Sequence, residues 1–99
     1  MKTEECLLVT AMEECAEIQQ EISKALRFGV ESHHPDNSEM THGKLIMKEF
    51  YQLRAVMDML VVKRIIPPIS EFEQNQIYRD KWAAVEKWEA YSKSIGSVS

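Results

Sequence analysis

Residues 3–29, TEECLLVTAMEECAEIQQEISKALRFG, carry the pattern from which the fold of this 99-residue chain can be inferred. Between Leu7 and Leu26 the apolar side chains recur mainly in steps of three and four, the spacing of one face of an α-helix. Thr3 is a favourable N-cap residue, and two glutamates follow it in the first turn, where negative charge is stabilised. Gly29 comes directly after the pattern and is a typical C-terminal signal. We therefore predict a first helix from Thr3 to Gly29.

The second helix is preceded by a polar loop, residues 30–43. Its start is predicted at Ser38 or nearer Thr41, since either residue is a good N-cap. Its apolar positions continue to about residues 63–64, and Pro67 and the proline after it cannot continue a helix.

The third helix begins with a clear local signal. Ser70 is followed three residues later by Glu73, the spacing of a capping box. The helical pattern then runs to residues 94–96. The predicted fold is therefore all-α: a helical hairpin with a third long helix across it, in one domain spanning residues 1–99.

A chain of this length has a thin core as a monomer. Residues 53–62 carry apolar side chains on both faces of the second helix. We therefore expect a homo-oligomer, most simply a dimer, that completes a four-helix-bundle-like core.

Composition limits the possible functions. The formal net charge is −4 and there is no basic block, so binding to a nucleic-acid polymer is not expected. No signal-peptide pattern or long apolar run occurs, and Cys6 and Cys15 lie about 13 Å apart on one helix, too far for a disulfide. We expect a cytoplasmic protein without a membrane partner and with reduced thiols. A negative protein that handles polyphosphates would need a cation between itself and its ligand.

Three glutamates of the first helix share one side of it. On a helical wheel, Glu14, Glu17 and Glu21 fall together on one flank of the apolar stripe. A solvated helix face is the ordinary interpretation of such a charge run. On the second helix, however, Glu49 and Gln52 lie inside the apolar stripe, and a carboxylate on a buried face is costly unless it is paired or bound to a cation.

The basic residues of the second helix occupy other positions on its wheel. A divalent cation between the two helices, held by Glu14, Glu17 and Glu49, is therefore one explanation, and solvated or salt-bridged glutamates remain the alternative. Ligands that are all oxygen atoms suit Mg²⁺ or Mn²⁺ rather than zinc.

Three stretches resemble a known family. Residues 12–29, MEECAEIQQEISKALRFG, resemble the first motif helix of the MazG-like all-α nucleoside triphosphate pyrophosphohydrolases, with EECAE in the place of E-E-x-x-E. Residues 48–60, KEFYQLRAVMDML, are similar to the second motif, E-x-x-D, with Glu49 in the Glu place. Residues 79–96, RDKWAAVEKWEAYSKSIG, are similar to the C-terminal helix of the small phage and bacterial members.

The resemblance implies a magnesium-dependent enzyme that cleaves a nucleoside triphosphate to the monophosphate and pyrophosphate. Glu14, Glu17 and Glu49 then correspond to metal ligands. Gln52 stands where the family has Asp; its carbonyl oxygen can ligate Mg²⁺ but brings no charge. Glu13 or Glu17 would orient the attacking water.

Positive side chains would complete a phosphate clamp, and the candidates are Lys24, Arg27, Lys81 and Lys87. Similar proteins assemble as dimers or tetramers. Two other classes of function stay open: a homologue that binds nucleotide or metal with weak or no catalysis, because of Gln52, and a helical interaction module in which the glutamates are merely solvated.

Overall fold

A computed structural model describes residues 1–99 and confirms the all-α prediction. Its three helices are α1 (Thr3–Phe28), α2 (His42–Val62) and α3 (Glu71–Ser94). There is no β-strand; an isolated antiparallel bridge joins His33 to Thr41 within the loop.

The helix ends follow the local signals closely. The Thr41 hydroxyl oxygen accepts a hydrogen bond from the Lys44 backbone N–H at 3.2 Å, so the later of the two predicted starts of α2 is the correct one. At the start of α3, the Ser70 hydroxyl oxygen accepts a hydrogen bond from the Glu73 backbone N–H at 3.1 Å.

The first helix differs slightly at its start. Lys2, not Thr3, is the N-cap residue, and its backbone N–H donates to the Glu5 carboxylate at 3.2 Å. Glu5, at the third helical position, thus provides the acceptor for the Lys2 backbone N–H. The helix can therefore begin at Thr3 without a capping side chain at that residue. Gly29 ends α1 with φ of 102°, a backbone conformation that other residues rarely adopt.

The chain forms two compact units, Met1–Pro67 and Pro68–Ser99. The first unit is the hairpin of α1 and α2 with its loop, and the second contains α3. Because the chain divides into two units, a single domain and the position of the third helix across the hairpin stay predictions.

The packed seam of the hairpin has an alternating spacing of four and three residues, as in coiled coils. On α1 the seam contains six buried or half-buried positions: Leu7, Ala11, Glu14, Ile18, Glu21 and Ala25. On α2 the same spacing runs through His42, Ile46, Glu49, Leu53, Val56 and Leu60. Acidic residues therefore occupy the seam itself, in two separate layers.

This arrangement corrects the wheel of the first helix. Glu14 and Glu21 lie in the packed seam rather than on a solvated flank, and Glu17 alone is exposed. The covered face of α1 lies closer to Glu14 and Glu21 than the centre of the apolar stripe does, because packing against α2 determines which face is covered. Leu60, fully buried, and Ala25 are the buried apolar residues of the hairpin.

Many apolar side chains remain outside this seam. On the hairpin, Met12, Leu26 and Val62 are at least 70% exposed, since two helices can cover only one face of each other. None of the three helices combines the length and the apolar character that a membrane span requires.

Candidate metal centre

Three carboxylates meet between α1 and α2. Glu14 and Glu17 are one turn apart on α1, and Glu49 faces them from α2. One carboxylate oxygen from each lies within 4.8 Å of the others. Glu14 and Glu49 are half-buried, whereas Glu17 is exposed, so the cluster opens to solvent on the Glu17 side.

The carboxylates are not neutralised by basic side chains. Neither Glu14 nor Glu49 takes part in a salt bridge, and Oε2 of each is buried without a hydrogen-bond partner. A buried acceptor left unpaired is costly, and three like charges at this separation repel one another. The protein therefore maintains an unfavourable arrangement at this point of the hairpin.

The pKa of Glu49 reflects this arrangement. Burial raises the pKa of this carboxyl above its ordinary value of 4.5, and a hydrogen bond shared with Glu17 raises it further. The negative charges of Glu17 and Glu14 act in the same direction, whereas the neighbouring Lys48 lowers the pKa. The charged form of Glu49 is therefore disfavoured at this position.

The donor set fits a hard divalent cation. Mg²⁺ prefers oxygen ligands at about 2.1 Å in octahedral geometry, which places pairs of ligands roughly 3 to 4 Å apart. The oxygens of the three glutamates lie within 4.8 Å of one another, a separation slightly above that range. The unpartnered oxygens of Glu14 and Glu49 are the atoms that a cation would satisfy.

Gln52 and Glu13, the other two residues of the predicted metal and catalytic site on α1 and α2, are both exposed. Gln52 is exposed, one turn beyond Glu49 on α2, although the wheel placed it inside the apolar stripe. Glu13 is also exposed and is not part of the convergent set. Their predicted roles, as a ligand and as a group that acts on water, stay predictions.

The predicted phosphate-clamp residues fall into two groups. Lys24 and Arg27 lie farther along α1, about 10 and 15 Å from Glu17 at 1.5 Å per residue. Each already has a local partner. The Lys24 ammonium lies 3.3 Å from the Glu21 carboxylate, and the Arg27 guanidinium lies 5.7 Å from the centre of the Phe28 ring. Lys81 and Lys87 lie on α3, in the second unit.

A second polar layer, which sequence reasoning missed, lies two turns along the seam. Glu21 and His42 are each more than nine-tenths buried, and Glu21 Oε2 lies 4.0 Å from His42 Nδ1. Neither of these atoms has a hydrogen-bond partner. The imidazole ring of His42 stacks on Phe28, with centroids 5.9 Å apart. The sequence did contain a signal: Glu21 and His42 each lie seven residues from a member of the glutamate cluster.

The loop holds His42 in this position. The His42 backbone N–H donates to the Ser32 carbonyl at 2.9 Å, and the next N–H, of Gly43, donates to the Val30 carbonyl at 2.9 Å. These bonds tie the first turn of α2 to the chain that leaves α1 and so help to fix the register of the two helices.

Comparison with protein-family models, with curated proteins and with solved structures finds no match.

Proposed function

We propose that this protein is a magnesium-dependent nucleoside triphosphate pyrophosphohydrolase, which releases a nucleoside monophosphate and pyrophosphate. The observation that supports it most is the convergence of Glu14, Glu17 and Glu49, with two buried carboxylate oxygens that have no partner. The resemblance of residues 12–29 and 48–60 to the MazG-like motifs points in the same direction. Mn²⁺ is an alternative cation, since it takes the same ligands.

In this proposal the three glutamates hold the cation, and Gln52 adds a neutral oxygen from the next turn of α2. When bound, Mg²⁺ supplies charge neutralisation for the phosphate oxygens. Glu17, the exposed member of the cluster, is accessible to a water molecule, and either Glu17 or Glu13 would orient that water toward a phosphorus atom.

Phosphate binding is assigned to basic groups beyond the cluster. Lys24 and Arg27 follow Glu17 on α1 and are the first candidates to contact the phosphates of a nucleotide held by the cation. Lys81 and Lys87 are further candidates, on α3. The proposal extends to a homo-oligomer in the cytoplasm, without a membrane or a nucleic-acid polymer as partner.

One observation favours a second candidate, a nucleotide- or metal-binding homologue without catalysis. Gln52 stands in place of a carboxylate and is exposed, so the site has three negative charges rather than four. Weaker attraction for the cation reduces the activation of water more than it reduces binding of a triphosphate, which brings its own charge.

Three measurements on the same sample distinguish these candidates from a helical interaction module. Thermal melting is followed without metal, with Mg²⁺ and with Mg²⁺ plus a panel of ribo- and deoxynucleoside triphosphates, and pyrophosphate release is assayed in parallel. The enzyme gains stability and releases pyrophosphate; the binding homologue only gains stability; the interaction module does neither.

Two variants locate the site. Glu49→Gln should abolish the stabilisation by Mg²⁺ and nucleotide while helix content is retained. Asp58→Asn, the same change at an exposed position on α2 outside the cluster, should respond like the parent. Equal responses of Glu49→Gln and the parent would mean that the cation site lies elsewhere.

A further inference from the structure

The second unit presents an apolar face that nothing within the unit covers. No residue of α3 is buried. Along the helix, Ile77, Tyr78, Trp88 and Tyr91 are each more than half exposed. A solvent-exposed surface of this kind, with several aromatic side chains, is characteristic of a protein contact rather than of a free helix surface.

The face has a regular spacing. Ile77, Lys81, Ala84, Trp88 and Tyr91 alternate in steps of four and three, the same alternation as in the packed seam of the hairpin. One lysine interrupts an otherwise apolar or small series. A helix with this spacing fits another helix of similar spacing, packed at a small crossing angle.

We propose that the occupant of this face is α3 of a second copy of the chain, packed antiparallel. The two-fold axis would pass the midpoint of Glu71–Ser94, between Trp82 and Ala83, so that the two helices overlap over their whole length. This pairing concerns the second unit alone and does not depend on the proposed function of the glutamate cluster.

Side-chain sizes are complementary in this register. Ile77 faces Trp88 of the second copy, and by symmetry the same pair occurs twice. Lys81 faces Ala84, whose small side chain leaves room for the aliphatic stem of the lysine while its ammonium reaches solvent. On one flank, Tyr78 lies beside Val85 of the second copy, which adds apolar contact beside the Ile77–Trp88 pairs.

Charges are complementary on the other flank. Asp80 of each copy approaches Lys87 of the other, which gives two opposite-charge pairs related by the two-fold axis. Neither Asp80 nor Lys87 takes part in a salt bridge within the chain. A parallel pairing would lose this match and would place Trp88 against Trp88.

The available area is sufficient for a moderate dimer. Tyr78, Trp88 and Tyr91 are 65%, 64% and 53% exposed, and a buried aromatic side chain covers roughly 150–250 Å². Six such side chains from two copies supply about 600 Å², and the aliphatic residues and lysine stems bring the total to roughly 1,000 Å², the lower end for a specific interface. Dissociation constants in the micromolar range are therefore expected.

The experiment measures self-association of the full chain by sedimentation equilibrium. The buffer contains a reductant, because Cys6 and Cys15 are exposed and free, and no metal or nucleotide, so that phosphate binding does not enter. Asp80→Lys and Lys87→Asp are measured singly and together. Arg79→Asp is the matched control, because it makes the same change of charge as Lys87→Asp on the opposite side of α3.

Each single charge reversal should raise the dissociation constant about tenfold, since two attractive pairs become repulsive. The double variant should return to within about threefold of the parent, as should Arg79→Asp. Circular dichroism confirms that the helices of every variant are intact. A parent that stays monomeric at about 100 µM, single variants no weaker than Arg79→Asp, or a double variant that fails to recover would each overturn the proposal.

Discussion

Replacing Glu49 by Gln is the most informative single change, because it should stabilise the protein while removing its proposed function. The variant keeps the size of the side chain, replaces one acceptor oxygen by an NH₂ donor and removes one negative charge from the cluster. Two unit charges 4.8 Å apart repel by about 1 kcal/mol even with the dielectric constant of water. Glu49 faces two such neighbours, Glu14 and Glu17.

Because Glu17 is exposed, its contribution is discounted for solvent screening. We expect Glu49→Gln to raise the free energy of unfolding by about 1–2 kcal/mol at neutral pH without metal. For a chain of this length each kcal/mol corresponds to roughly 4–8 °C in Tm. Asp58→Asn, which removes an exposed charge from the same helix, should leave Tm almost unchanged.

The pH dependence has a definite sign. The folded-state pKa of Glu49 is raised above its ordinary value of 4.5, so the folded protein binds this proton more tightly than the unfolded chain does. The stabilisation that comes from binding this proton is therefore fully present below pH 4.5. It is lost as the pH rises through the folded-state pKa of Glu49. Glu49→Gln lacks this loss, so its stability should fall less over that interval.

The assay is thermal melting by circular dichroism from acidic to neutral pH, first with a chelator and then with Mg²⁺. With Mg²⁺ the order should reverse, since the cation stabilises the parent and not the variant. If the metal-free variant melts at or below the parent at neutral pH, our account of repulsion and desolvation at Glu49 is refuted.

Three further predictions concern the surroundings of the cluster. Gln52→Asp should lower the Mg²⁺ concentration needed for pyrophosphate release, because a fourth carboxylate attracts the cation; superimposable magnesium titrations would show that position 52 does not face the metal. His42→Ala should lower the free energy of unfolding by about 1–3 kcal/mol in chemical denaturation, because it removes the buried ring that stacks on Phe28 and the polar group nearest to Glu21 Oε2, and Glu21→Gln in the same chain should recover part of the loss. Gly43→Ala should also destabilise, by about 1 kcal/mol, because the new Cβ would lie 2.9 Å from Val30 Cγ1; a gain in Tm would mean that helix propensity dominates at this position.

The three helices and most of their ends could be predicted from the amino-acid pattern. Thr41 and Ser70 form their hydrogen bonds with backbone groups three residues away. Gly29 ends α1 through its own backbone conformation. These interactions are local, so their partners lie within one turn and can be read without knowledge of the rest of the fold.

The convergence of Glu14, Glu17 and Glu49 was also predictable, for a related reason. Each helical wheel shows in which direction a side chain leaves its helix, and an acid inside an apolar stripe requires a partner. The facing position on a neighbouring helix is the nearest place to find one. The metal itself stays a prediction.

Which positions are covered, and which face each other, depends on how the helices pack. A helical wheel shows in which direction a side chain leaves its helix, but it does not show whether a neighbouring element covers that side chain. Gln52 was therefore assigned to the apolar stripe although it is exposed. The pairing of Glu21 with His42 depends on the register of α1 against α2, which the backbone bonds between the loop and the first turn of α2 help to fix. These contacts join residues far apart in sequence, and their geometry follows from packing the two helices together, which no local pattern specifies.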